Sequence, residues 1–436
     1  MLEIINIIFC LLIFSIFTIV PINIYNNTIS KKNMPLNIMI FNLAINLNVL
    51  LILSFLSFKL SLISKSYLLI LFLILILNYS KITKIIKINF IFLSFLTMAF
   101  LVLGIDLSSK LNLGWDAKWF WFIKSIYYFE NYFFSDLTNY EFNKYHPHFG
   151  SYLWAFFRKL SFLDFEYTGR LFYIFFYLFS LLTISYYLPK KNTEKVLLFI
   201  SLILITYNYK FVSGLQEILI FSTLVIISKL TYEYIQKYDV NKLIQIILFS
   251  NLLLWIKAEG IAYFLIYYLS LNFLSNIKIE KKIYINFIAI LLILFKFFIY
   301  NYFNISINEQ PYFLGYLLNL DLNFIIYKLK YIFIYLSFYS FKNIIFLCVG
   351  LFLVFKIKTF FIDEHFKFIF LLFLFNIIFI FSVYVLRDME IIYSLKTTID
   401  RIILSSSGFY LLFFSQKFIF ILNKIFDSKF KYKLRS

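Results

Sequence analysis

Residues 89–105 read NFIFLSFLTMAFLVLGI, an uncharged apolar run that ends at Asp106 and opens into a long, more polar segment reaching Gly169. A helix needs roughly 20 apolar residues to cross the hydrocarbon core, and fewer where neighbouring helices shelter it. Working outward from 89–105, comparable runs recur near 4–25, 36–58, 67–79, 170–188, 196–208, 213–230, 243–256, 260–275, 283–303, 331–355, 366–386 and 402–422. Of the 436 residues, 62% are hydrophobic, and the mean hydropathy is +0.87. No water-soluble fold keeps that much apolar surface from solvent. No long charged or Gly/Ser-rich linker separates the runs, so the expectation is one transmembrane domain over 1–436. Its fold class is all-α polytopic, with about 11–13 transmembrane helices.

The run Ile4 to Tyr25 reads as the first span, since neither a basic stretch before it nor a small-residue cleavage site after it marks a signal peptide. Cys10 and Cys348 both lie inside apolar runs, so they offer neither a disulfide framework nor a thiolate metal site. The net charge of +19 comes from lysines in the short connections. Basic connections stay cytoplasmic. The clusters Lys31-Lys32, Lys81/Lys84/Lys87, Lys190/Lys191/Lys195, Lys237/Lys242, Lys278/Lys281/Lys282, Lys356/Lys358 and the basic tail 423–436 all fall on one side of the spans above. That agreement orients the chain with its amino terminus outside.

The opposite, outer side then receives 106–169, the turns around Ser213 and Lys257, the loop 304–330 and the stretch 387–400. Within 106–169, the segments 119–134 and 154–163 read as helices lying in the interface, where Trp and Tyr prefer to sit. Scarce residues concentrate here. Four of the five Trp (Trp115, Trp119, Trp121, Trp154) and two of the three His (His146, His148) fall in this segment.

Five short pieces on the outer side carry candidate chemistry. Gly114-Trp115-Asp116-Ala117-Lys118-Trp119-Phe120-Trp121-Phe122-Ile123-Lys124 sets a carboxylate beside water-excluding rings, which raises its basicity; the plainer reading is a loop Asp in an aromatic belt. Tyr145-His146-Pro147-His148 places two His at i and i+2, which do not share a helix face, so a metal pair is not indicated. His146 reads either as a hydrogen-bonding or phosphate-binding group or as a hydrated interfacial residue. Ser213-Gly214-Leu215-Gln216-Glu217 and Lys257-Ala258-Glu259-Gly260 put charges at the ends of spans, where they are costly unless paired or facing a wet cavity. The plainer reading of Lys257 and Glu259 is an ion pair capping a hairpin. Finally, Arg401 stands near a helix amino terminus, where a cation opposes the helix dipole unless Asp400 or a bound phosphate supplies an anion. Its planar fork suits phosphate oxygens.

In the order and common side of these pieces the chain resembles the GT-C-type polytopic membrane glycosyltransferases, in particular the bacterial dolichyl-phosphate-mannose-mannosyltransferase-like family. The resemblance runs from the fourth span to the last. It departs from the family at Glu217, where Asp is frequent, at Phe149-Gly150 and at Ala258. It implies a GT-C-like core over 89–422 with the outer loop 106–169, extra amino-terminal helices over 1–80, and a basic cytoplasmic tail. It further implies a bacterial-type cytoplasmic membrane location with the active site on the outer face. The donor would be a polyprenyl-phosphate sugar and the acceptor an envelope lipid, glycan or protein. By that resemblance Asp116 is the general base of an inverting transfer. Arg401, Lys124, Lys257 and His146 bind the donor phosphate, and Glu217, Glu259, Asp400 and Trp115 orient sugar or acceptor. A divalent metal is left open. Two further readings stand beside it: a transporter or flippase of an anionic lipid or solute, and an envelope polysaccharide polymerase or ligase relying on outer Arg and His.

Overall fold

The computed structural model describes residues 2–20, 34–139, 146–189, 191–305, 322–387 and 390–433. Lys31, Lys32, Lys190, Tyr145, Asp388, Met389 and most of the expected loop 304–330 lie outside them. The described helices are α1 Leu2–Ile19, α2 Met34–Leu53, α3 Leu60–Leu77, α4 Tyr79–Ser109, α5 Ile123–Phe129, α6 Phe149–Leu160, α7 Tyr167–Tyr187 and α8 Asn192–Thr206. There follow α9 Glu217–Gln236, α10 Val240–Ile256, α11 Glu259–Asn272, α12 Ile279–Tyr302, α13 Leu322–Lys342, α14 Ile344–Phe355, α15 Glu364–Leu386 and α16 Ile391–Lys433. A π-helical turn, Ala117–Phe122, leads into α5. No strand occurs among the described residues.

Nine of these helices are long and apolar enough to cross a membrane; the apolar stretches Leu93–Ser109, Val240–Ile256 and Ile344–Phe355 are shorter. The outermost of the nine leave most of their apolar surface uncovered by protein, α3, α12 and α13 among them. Only lipid satisfies such surface at this scale, so the chain is a multi-pass membrane protein. At the centre, α7 and α9 are buried nearly on all sides, and α9 packs along α16, α10 and α7.

Short connections force neighbouring helices antiparallel, from α7 through α12. Side-chain caps start several of them. Asp239 accepts from Asn241 N at 2.9 Å to begin α10, and Asp363 accepts from His365 N at 2.9 Å to begin α15. The turns after α7, α9 and α11, with their lysines, therefore share one end of the bundle. The turns after α8 and α10 share the other.

Three sequence expectations change in detail. The run 331–355 is broken at Asn343, whose side chain accepts from Phe346 N at 3.0 Å and starts α14 as a separate helix. The stretch 391–400, expected as loop, is the first part of α16. The helix expected at 154–163 starts earlier, at Phe149, and is sealed among α3, α5, α7 and α10 with Trp154 fully buried. Helix α6 thus faces protein, not lipid.

The amino-terminal helices are built into the body as well. Asn48 donates to Leu248 O at 3.0 Å and accepts from Asn251 at 2.9 Å, while Ser54 Oγ lies 2.7 Å from His148 Nε2. Ser54 gives its single proton to Leu51 O at 2.6 Å. The His148 ring must therefore be the donor in that pair.

Candidate active site

The polar residues converge where α9, α10, α11 and α16 meet the turn before α5. Helix α9 begins at Glu217 and α11 at Glu259, so each carboxylate sits at a helix amino terminus and complements its dipole. Between α10 and α11 the chain breaks at Lys257, whose backbone is extended (φ −152°, ψ 159°). The tight return depends on Gly260, where an added Cβ would lie 1.9 Å from Leu253 O. Asp116 is positioned by backbone: Gly114 N donates to Ser213 O at 2.9 Å. Gly214 turns that loop at φ +80°, with an added Cβ 2.8 Å from Trp154.

Arg401 ties these pieces together. Its Nε donates to Glu217 Oε1 at 2.5 Å and its Nη1 donates to Asp116 Oδ2. Lys257 Nζ donates to the same Glu217 oxygen at 2.9 Å and also pairs with Glu259 Oε1 at 2.9 Å. One chain of contacts therefore runs Asp116, Arg401, Glu217, Lys257, Glu259. The Glu217 side chain is 2% exposed, against 27% for Asp116 and 30% for Glu259, so the network is closed at its middle and open at its two ends. Burial would lower the pKa of Lys257, but Glu217 and Glu259 outweigh it and hold the ammonium above the usual lysine range.

The remaining expected residues lie around this core. Asp400 pairs with Lys210, which sits in the 3₁₀ turn Tyr209–Phe211 before α9. Lys124 is fully buried and donates to His146 O at 2.7 Å. Burial pushes the Lys124 ammonium down to about 7. Burial, then the charges of Lys124 and Lys257, push His146 down to about 3, so its imidazole is a neutral hydrogen-bonding group at physiological pH. Its ring packs 5.5 Å from both Phe120 and Trp121. Trp115 is 68% exposed and touches Phe120 edge-on, at the rim.

Lys210 is the member that sequence reasoning passed over. Its signal was available: a lysine on the lysine-poor side, just before Ser213-Gly214. Arg170 is a second, acting at one remove. Its fork holds both Glu166 carboxylate oxygens, at 2.7 and 2.6 Å, and donates to Val212 O at 2.5 Å, which clamps the Lys210–Gln216 loop to α7.

Two features show what the cluster can bind. Four carboxylates (Asp116, Glu217, Glu259, Asp400) face three cations (Lys210, Lys257, Arg401), so an arriving anion competes with carboxylates for the cations. Glu217 Oε2, Glu259 Oε2 and Asp400 Oδ1 are buried and have no hydrogen-bond partner among the described residues. Buried acceptors of this kind call for donors such as hydroxyls or water. Among the described residues no group of three or more His, Cys, Asp or Glu is arranged to hold a metal ion.

Ten residues of α16, 391–400, precede Arg401. The ion network lies at the end of the bundle remote from the lysine-bearing turns. No family model matches the chain, and no curated protein or solved structure matches it significantly.

Proposed function

We propose that this protein is a GT-C-type glycosyltransferase of a bacterial-type cytoplasmic membrane. It moves a sugar from a polyprenyl-phosphate donor to an envelope lipid, glycan or protein acceptor at the outer face. The observation that carries this reading is the shared Arg401 guanidinium. Two of its five N–H donors are engaged, by Glu217 and Asp116, and orphan acceptor oxygens surround it. A ligand bearing both a phosphate and several hydroxyls complements that set. A position at the end of the apolar bundle suits a donor whose head must reach the site while its chain stays in lipid.

In the proposed step Asp116 takes the proton of the acceptor hydroxyl as its oxygen attacks the anomeric carbon and the bond to the donor phosphate oxygen breaks. The electron pair leaves with the polyprenyl phosphate, whose charge Arg401 and Lys210 receive. Displacement of Asp116 from Arg401 by the phosphate frees its carboxylate to take the proton. Base and donor phosphate are thereby coupled: Asp116 becomes competent when the donor is in place. Glu217 stays with Lys257, and its second oxygen, with that of Glu259, accepts sugar hydroxyls.

The test is transfer from a radiolabelled polyprenyl-phosphate sugar to envelope lipids and glycans by purified protein, beside the same donor in sealed proteoliposomes. Labelled product with inverted anomeric configuration supports the reading. Movement of intact donor across the bilayer without product overturns it in favour of a flippase. Transfer that survives removal of both Asp116 and Glu217 favours the polymerase or ligase chemistry.

A further inference from the structure

At the opposite end of the bundle, α14 and α16 leave an apolar groove of about 140 Å³, lined by Cys348, Val349, Phe352, Phe413, Phe414, Lys417 and Phe418. Its origin is local. Helix α14 has only 12 residues, about 18 Å, and turns off through Ile357–Phe361. The face of α16 that α14 covers at Phe413, where the Phe352 ring packs at 5.5 Å, continues past Phe414 toward Phe418 without it.

One lysine, Lys417, lines the groove. Lys417 Nζ sits 4.9 Å from the Phe413 ring and 5.3 Å from the Phe352 ring, and it forms no salt bridge with a described residue. Lys356 and Lys358 are exposed at the end of α14, and Lys367 stands 5.9 Å from the Phe360 ring. The acidic residues between Lys358 and Lys367 have other partners. Asp363 caps α15, and Glu364 accepts from Ser275. Lys417 falls near the end of the apolar stretch of α16, where a lysine can extend its ammonium toward headgroups.

We infer that this groove is a binding site for an anionic membrane phospholipid of the leaflet on the lysine-rich side. One acyl chain lies along Cys348, Val349 and Phe414, and the headgroup phosphate meets Lys417. The apolar lining accepts any chain, so selectivity for an anionic headgroup rests on Lys417.

The five native Trp (Trp115, Trp119, Trp121, Trp154, Trp255) all lie toward the other end, so Cys348→Trp at an exposed position creates a reporter in the groove. The protein is reconstituted in phosphatidylcholine vesicles containing graded amounts of brominated-chain phosphatidylglycerol or brominated-chain phosphatidylcholine. The brominated anionic lipid is expected to quench the added Trp at about fivefold lower mole fraction. Lys417→Gln in the same background removes that preference, Lys417→Arg keeps it, and high salt weakens it. Equal quenching by the two lipids, or a preference that survives Lys417→Gln, overturns the proposal. Thermal unfolding of each variant checks that the fold is retained.

Discussion

Arg401 and Glu217 are 184 residues apart in the chain, yet Arg401 Nε donates to Glu217 Oε1 at 2.5 Å, and Lys257 donates to that same oxygen. A carboxylate at 2% exposure is tolerable there only because two cations share it. The stability of this site and the proposed chemistry therefore draw on the same atoms.

Arg401→Ala is expected to destabilise the protein by about 3–5 kcal/mol, because Glu217 loses one of its two cations while still buried. The double variant Arg401→Met/Glu217→Gln should recover most of that loss, since Lys257 keeps Glu259 and Asp116 stays partly hydrated. Thermal unfolding in detergent of Arg401→Met, Glu217→Gln and the double variant measures the coupling. Additive losses would show that the pair does not act as a unit.

Asp116→Asn should lower transfer by about 10²–10⁴-fold while the protein still inserts and runs as a single species, because this carboxylate lies at the open end of the network. Full turnover by the purified variant would remove Asp116 as the base.

The depressed Lys124 makes stability depend on pH in a definite direction. Above about 7 the folded protein has released this proton, whereas an unfolded lysine keeps it to ~10.4. Unfolding in that window takes up a proton, so raising the pH from 7 toward 10 adds stability from this group. A plot of melting temperature against pH for wild type and Lys124→Met should show the wild-type slope more positive by one proton. If Lys124 also serves the donor phosphate as a cation, donor KM rises across pH 7 in wild type only.

Gly260→Ala should disrupt the α10–α11 return by about 1–3 kcal/mol or more, since its Cβ would meet Leu253 O. Lys257 and Glu259 flank that return, so donor KM should worsen together with the melting temperature. Ala258→Gly, two residues away, is the control and should leave KM within about twofold.

Much of this was legible from the chain alone. Apolar runs and the sidedness of lysine are consequences of solvent and insertion, which act on local composition. The broken Asn343 junction was the exception, because a capping side chain inside an apolar run weighs little in any average over the span. Lys210 was missed for a related reason. A single lysine on the lysine-poor side reads as noise until Asp400, 190 residues away, is seen to hold it.

The sequence by itself determined a many-spanning helical protein, and it singled out five charged residues that the structure brings into contact: Asp116, Glu217, Lys257, Glu259 and Arg401. Only the tertiary structure decided who pairs with whom. It showed that Glu217, not Asp116, is the buried centre and that Asp116 shares its guanidinium. It also placed α6 inside the bundle. Local composition sets which solvent a segment prefers, while charge pairing depends on distances of a few ångström between helices far apart in the chain.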